Sequence, residues 1–407
     1  MPSSSSSDLH SGRSRRSFLR LAGLAAAVPL LSETQLAHAA LLEPQAATPL
    51  HTIPKSSHRH GGRASKLAGA IPADAVFINA NENPMGPSPA AIAAIAAAAA
   101  KGGRYDPANY VDTLTDLVAK QNGISPESVA IYAGSTEPLH FSVLAFTSPT
   151  RPYVMADPGY EAGATAALDS GAKVIRTALT KDYAHDVKAM VNASPDTGLI
   201  YICNPNNPTG SLTSRADILW ALENKPAGSV LLVDEAYIHL SKAESVVDQV
   251  AAGKDIIILR TFSKVYGMAG IRAGLALGRP DLLDMLARNG GNMLPTTALA
   301  AAIASLSDPE LVPRRRKAIA DTRNATLNWL DNNGFKYIPS DSNCVMVETG
   351  RPSREVIMAL QAEKVYIGRP WPILPTHIRI TVGLPEEMEK FQTAFAKVMG
   401  KTPVMTS

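Results

Sequence analysis

The chain has 407 residues, 45% hydrophobic and 18% charged, an ordinary globular composition with room for two domains that excludes a mainly disordered protein. The net charge of +3 lies in the N-terminal tail. Residues 1–39 hold four arginines against Asp8 and Glu33, and residues 40–69 hold Lys55, Arg59, Arg63 and Lys66 against Glu43, so the remainder is net −2 and shows no basic patch for nucleic acid.

Residues 1–39 open the chain as an address. SRRSFLRLAGLAAAVPLL (14–31) has paired arginines, then Phe18 and Leu19, then an apolar stretch too short to span a membrane. Ala37-His38-Ala39 offers small residues to a signal peptidase. The segment resembles a twin-arginine export signal, with SRRSFLR close to that motif. This implies a mature chain starting near Ala40 in the periplasm or outside the cell, with no stable membrane anchor after processing. Residues 40–70 are rich in Pro, His, Ser and Gly and read as a flexible linker. His58 and His60 fall there by chance. Neither the nine histidines nor Cys203 and Cys344, far apart, fit a metal spacing, so no metal is expected.

From about residue 71 the pattern is globular. VFINANENPMGPSP (76–89) reads as a short strand and a turn-rich arm. AAIAAIAAAAAK (90–101) reads as a helix ended by Gly102-Gly103. This arm and helix, residues 71–103, are expected to join the smaller of two domains. Over 104–289, apolar runs alternate with helical patterns. The runs are VAIYAG (129–134), PYVMAD (152–157), KVIRTAL (173–179), LIYICN (199–204), SVLLVDE (229–235), DIIILRT (255–261) and RAGLALG (272–278). Runs without polar alternation suggest strands buried on both faces. With helices between them, they predict an α/β domain with a doubly wound, mostly parallel sheet. Residues 290–402 carry long helical patterns (298–307, 311–333, 353–364, 385–399) and strands at 343–348 and 377–382. They read as a smaller α+β domain.

Ligands of open α/β sheets bind beyond the carboxyl ends of the strands, and the polar residues of interest lie there. After VAIYA come Gly134, Ser135, Thr136 and Glu137, entering a helix, an arrangement that suits an anion. After LIYICN comes NPNNPTG (204–210), a rigid turn that aims the Asn207 amide. SVLLVDEAY (229–237) ends a hydrophobic strand in Asp234, a carboxylate desolvated without a cationic partner. Tyr237 follows. In RTFSKVYGMAGIRAG (260–274), Thr261 and Ser263 flank Lys264, and Arg272 offers a planar fork to a phosphate. Taken singly, each has a plainer reading: a helix cap, an ordinary loop, a solvent-facing lysine. Together they match the needs of pyridoxal 5'-phosphate. Its phosphate takes a helix start, hydroxyls and an arginine, its ring nitrogen a carboxylate, its phenolic oxygen Asn207 and Tyr237, and its aldehyde the Lys264 amine as a Schiff base.

The set resembles the fold type I, class I/II aminotransferases, most closely the histidinol-phosphate aminotransferase-like branch. NENPMGPSP, RYDP, NPNNPTG, DEAYIHL, RTFSKVYGMAGIRAG and HIRITVG recur in order between about 76 and 399. The resemblance implies that Lys264 links to the cofactor and shuttles protons. It pairs Asp234 with the ring nitrogen, and Asn207 and Tyr237 with the phenolic oxygen. It gives Ser135, Thr136, Thr261, Ser263 and Arg272 the phosphate, and stacks Tyr160 on the ring. Tyr105 would reach the neighbouring subunit's phosphate, which implies a homodimer. Arg379 would bind the substrate α-carboxylate, a partner that an arginine in an apolar strand needs. Arg369 and Asn83 would also meet substrate, though Arg369 could equally be structural. Two departures stand out. Met85 replaces a tyrosine common in histidinol-phosphate enzymes, which weakens the case for a phosphorylated substrate, and RYDP inverts the usual RYPD. The implied reaction moves an amino group between an amino acid, or a histidinol-phosphate-like amine, and a 2-oxo acid. The alternatives are a decarboxylase of the same fold, similar to threonine-phosphate decarboxylase, and a non-catalytic cofactor sensor.

Overall fold

The computed structural model describes residue 72, residues 74–291 and residues 293–401. The expected export signal (1–39) and linker (40–70) lie outside the described residues. In chain order the strands are β1 Val76–Ile78, β2 Val129–Tyr132, β3 Tyr153–Asp157, β4 Val174–Ala178, β5 Leu199–Cys203, β6 Val230–Asp234, β7 Ile256–Thr261, β8 Gly274–Gly278, β9 Lys336–Ile338, β10 Cys344–Glu348, β11 Val365–Ile367 and β12 His377–Thr381.

Seven strands form one sheet in the order β2-β8-β7-β6-β5-β3-β4. Every residue of β5, β6, β7 and β8 is buried, which is why their sequences run apolar without alternation. β4 closes one edge with a partly exposed strand that includes Arg176. Neighbours from β7 to β4 pair parallel, as expected. β8 is the exception, antiparallel to both β7 and β2. No crossover helix separates β7 from β8. The segment between them is the loop carrying Lys264, and a strand that returns directly pairs antiparallel.

β12, β10 and β9 form an antiparallel sheet, and β1 pairs parallel with β11, Val76 opposite Val365. They surround a second core of Trp329, Phe335, Phe391 and Phe395, joined by Val76 and Ile78. Its rings pack closely, with centroids 4.7 Å apart for Phe335–Phe395 and 5.3 Å for Phe391–Phe395. Each such buried side chain contributes about 1.5–3 kcal/mol.

The strand of the N-terminal arm therefore completes the smaller core, but its helix does not. Pro89–Ala99, capped by Ser88 Oγ accepting the Ala91 N–H at 3.2 Å, packs on the helix Thr296–Leu306. Ala91, Leu299, Ala301 and Ala302 all belong to the larger core. Both helices are alanine-rich, so their backbones approach each other closely and pair off. Leu311 and Ile319 of the helix Leu311–Asn332 also lie in the larger core, whereas its Trp329 and Leu330 lie in the smaller one. At the level of packing, the smaller core begins near Trp329 and not at residue 290. β9 and β11 were not read from the sequence: each is three residues long and, unlike β1, stands beside no motif that marks it. No helix among the described residues is long and apolar enough to cross a membrane.

Candidate active site

The segments that follow β2, β5, β6 and β7 meet at one edge of the large sheet. Thr261 ends β7. Its Oγ1 donates to Ser263 Oγ at 2.9 Å and accepts the Ser263 N–H at 3.1 Å. Arg272 reaches Ser263 Oγ at 3.4 Å and Ala269 O at 2.8 Å through Nη1, and Ala133 O at 2.9 Å through Nη2. Gly134 follows, at φ +95°, where a Cβ would lie 2.2 Å from Arg272 Nη2, so only glycine lets the guanidinium in. Ser135 occupies the N-cap of the helix Thr136–Phe146 without spending its side chain on the cap. Arg272 has no acidic partner among the described residues. A guanidinium without a carboxylate, hydroxyls and a helix start form a cradle for a dianion.

Asp234 ends β6 beside Cys203 of β5. Its Oδ2 accepts from Tyr201 Oη at 2.9 Å and its Oδ1 from Ala236 N at 3.0 Å. Burial raises the carboxyl to about 6, against the pull of Tyr201 and Ala236. Among the described residues no cation pairs with it in contact, the Lys264 charge acting on it only from a distance, so the carboxylate suits a protonated ring nitrogen. Tyr237 is buried, and its hydroxyl accepts from Asn81 Nδ2 at 3.1 Å. Burial holds its phenol well above the ordinary value, so it stays protonated.

Lys264 Nζ sits 3.3 Å from Ala80 O and 5.4 Å from the Tyr237 ring centroid. Desolvation, joined by the Arg379 charge, lowers its amine to about 8. The neutral fraction therefore grows as pH rises through about 8, far below the range of an ordinary lysine. Capture of pyridoxal phosphate by the cofactor-free protein should accelerate with pH up to about 8 and then level off. Stopped-flow absorbance checks this, and a rate still climbing steeply at pH 10 would contradict it.

Arg379 lies in β12, its Nη1 donating to Asn207 Oδ1 at 2.9 Å and its Nη2 to Asn79 O at 2.6 Å. Among the described residues its buried Nε has no partner. The contact also orients Asn207: the oxygen faces the guanidinium, and the NH2 is left to donate elsewhere. Tyr160 Oη lies 3.3 Å from Thr136 Oγ1, beside the cradle.

One expected residue, Asn83, stands differently, and two others, Tyr105 and Arg369, keep much of their side chains exposed. Asn83 was expected to meet substrate, but its Nδ2 donates to Val265 O at 3.0 Å and its Oδ1 accepts from Met85 N at 3.1 Å. Both ends of the amide are spent on backbone, so it clamps the arm to the residue after Lys264. Tyr105 is 83% exposed. Arg369 pairs with Glu161 and lies 3.7 Å over the Trp371 ring.

Sequence reasoning missed Tyr201, Asn81 and Arg315. Tyr201 looked like one more apolar strand residue. Asn81 lies in the quoted arm motif but gains its role only by reaching Tyr237. Arg315 gives no local signal; buried in a long helix, it donates to Val265 O at 3.0 Å and Gly86 O at 2.6 Å.

The residues present fit pyridoxal phosphate. Gly134 leaves room for the guanidinium of the cradle, the buried Asp234 carboxylate can pair with a ring nitrogen, Asn207 and Tyr237 can donate to a phenolic oxygen, and Lys264 is a poised amine. Fold and site thus define a fold type I, pyridoxal-phosphate-dependent transaminase. The family model for aminotransferase class I and II matches residues 73–395, and the chain belongs to that family. It is 35% identical to a histidinol-phosphate aminotransferase of Symbiobacterium thermophilum, over 81% of this chain and 91% of that one. It is 31% identical to an aromatic amino acid aminotransferase of Cutibacterium acnes, over 80% and 93%. The structure of a histidinol-phosphate aminotransferase from Sinorhizobium meliloti, in complex with pyridoxal-5'-phosphate, superposes with a TM-score of 0.75 at 27% identity, covering 80% of this chain and 91% of that one. All three are named for amino-group transfer, which favours transamination over the decarboxylase alternative.

Proposed function

We propose that the protein transfers the amino group of an α-amino acid to a 2-oxo acid, with Lys264 as the group that moves the proton. The observation that carries this is the place of the Lys264 amine, 5.4 Å from the Tyr237 ring centroid, where desolvation and the Arg379 charge lower it. Arg379, whose Nη1 and Nη2 each spend one N–H on Asn207 and Asn79, would take the substrate carboxylate. That seat aims the substrate Cα toward Lys264, whose neutral amine removes the Cα proton. Tyr237 and Asn207 would hold the cofactor's phenolic oxygen, and Asp234 its ring nitrogen. The bound cofactor supplies an electron-withdrawing ring at the carbon that loses the proton.

The test is product analysis. Holoenzyme is incubated with a donor panel that includes phenylalanine and histidinol phosphate, together with a 2-oxo acid. Oxo product formed in step with amination of the acceptor is expected. Carbon dioxide released with no need for an acceptor would overturn the proposal in favour of decarboxylation.

Two further parts belong to this proposal. The protein works as a homodimer in which Tyr105 reaches the phosphate site of the partner subunit. The support is a large aromatic side chain left 83% exposed. Tyr105→Ala should weaken cofactor binding roughly tenfold, as loss of a hydrogen bond to a charged group does. Equilibrium dialysis checks it, with light scattering to confirm the dimer. The protein is also exported by the twin-arginine route. Replacing Arg15 and Arg16 together by lysine should leave it in the cytoplasm of the expressing cell, as read by fractionation, whereas unchanged export would refute the route.

A further inference from the structure

Arg369 is positively charged, yet it does not stand free to receive an anion. Its guanidinium carbon lies over Trp371, 3.7 Å from the ring centroid, and its Nη2 is bonded to Glu161 Oε2. The two side chains keep 44% and 41% of their exposure, so the pair faces water and can exchange partners. Its place in the fold matters more than its strength. Glu161 directly follows Tyr160, whose hydroxyl meets Thr136 beside the phosphate cradle. Arg369 directly follows Gly368, whose N–H donates to Arg379 O at 2.9 Å and where a Cβ would lie 3.0 Å from Arg379 Nε. The ion pair thus joins the cofactor side of the site to the carboxylate-binding side. A substrate seated with its carboxylate on Arg379 and its amine at Lys264 has its side chain left to extend along this wall.

We propose that Glu161 is a specificity-determining residue, which neutralises Arg369 and makes the far wall of the substrate site select uncharged side chains. This rests on the transamination proposal only for the seating of the carboxylate on Arg379. An anionic side chain gains Arg369 only by displacing Glu161, and the two carboxylates then repel each other across the cleft. A neutral side chain leaves the pair intact and packs beside the Trp371 stack. The favoured donors are therefore amino acids with neutral, apolar or aromatic side chains, over acidic or phosphorylated amines.

The test uses binding of acids that cannot react, so it does not depend on whether amino transfer occurs. Holoenzyme is titrated calorimetrically with 3-phenylpropionate, which has one carboxylate and a neutral end, and with glutarate, which has two carboxylates. Glu161→Gln should strengthen glutarate binding on the order of fivefold, the scale of one exposed ion pair, and leave phenylpropionate unchanged. Arg369→Gln should do the reverse: Glu161 is left unopposed, so glutarate weakens by a similar factor while phenylpropionate holds. A structural salt bridge would instead weaken both ligands in both variants. An unchanged glutarate-to-phenylpropionate ratio, or a shift in the same direction in both variants, overturns the proposal.

Discussion

Replacing Lys264 with alanine is expected to leave a folded protein that still binds pyridoxal phosphate but turns over roughly a thousandfold or more slowly. Binding survives because the phosphate cradle is built from other residues: Thr261, Ser263, Arg272 and the helix start after Gly134. Stability survives because the amine makes one long hydrogen bond, to Ala80 O, and sits with its pKa depressed, so the folded state already disfavours its charge. Turnover collapses because no other amine or imidazole among the residues gathered here stands beside Tyr237 to move the Cα proton. Cofactor content, circular dichroism and steady-state rates would be compared with wild type. Residual transamination above about a tenth of the wild-type rate would remove Lys264 from its role.

Asp234→Asn should separate activity from stability. In the cofactor-free protein, burial raises the Asp234 carboxyl from 3.8 to about 6. A raised acid means that the folded state binds the proton more tightly than the unfolded chain. Stability therefore falls as pH climbs from about 4 to 6, and the penalty is fully present above that. A shift of this size corresponds to about 3 kcal/mol. Asparagine keeps the shape and the contacts: its oxygen can accept the Ala236 N–H and its NH2 can donate to the Tyr201 hydroxyl. The cofactor-free variant should thus be more stable than wild type at pH 8, by on the order of 1–3 kcal/mol, and nearly equal at pH 4. Its activity should fall by roughly a hundredfold or more, because a neutral amide cannot keep the ring nitrogen charged. Thermal melts at the two pH values and turnover at saturating cofactor decide the matter. A variant that is less stable at pH 8, or that keeps its activity, would contradict the assigned role.

The contrast between Asp234 and Tyr201 shows where sequence reasoning works in this protein. Asp234 terminates an unbroken apolar run, and a carboxylate in that position demands an explanation from the sequence alone. Tyr201 lies inside such a run and looks like core; its meaning depends on the parallel register that sets β5 against β6. Lys264, Asn207, Tyr237 and Arg272 were likewise visible, because strand ends and rigid turns advertise a polar residue. Asn83 was visible and misassigned, since its motif cannot say that Val265 O will take its amide. The sheet followed the same rule. β5 to β8 were readable because burial on both faces leaves long apolar runs with polar residues mainly at their ends, whereas β9 and β11 are short runs with no such length to mark them. The direction of β8 and the pairing of the two alanine-rich helices depend on tertiary packing, which no local pattern encodes.

The most direct measurement is borohydride reduction of the holoenzyme followed by peptide mapping, in three samples: untreated, pre-incubated with an amino donor, and pre-incubated with the donor and then a 2-oxo acid. The expected result is a pyridoxyl mass on the peptide containing Lys264 in the first sample, its loss in the second and its return in the third. A label on another lysine, or a label on Lys264 that neither the donor nor the oxo acid alters, would contradict transamination at this residue.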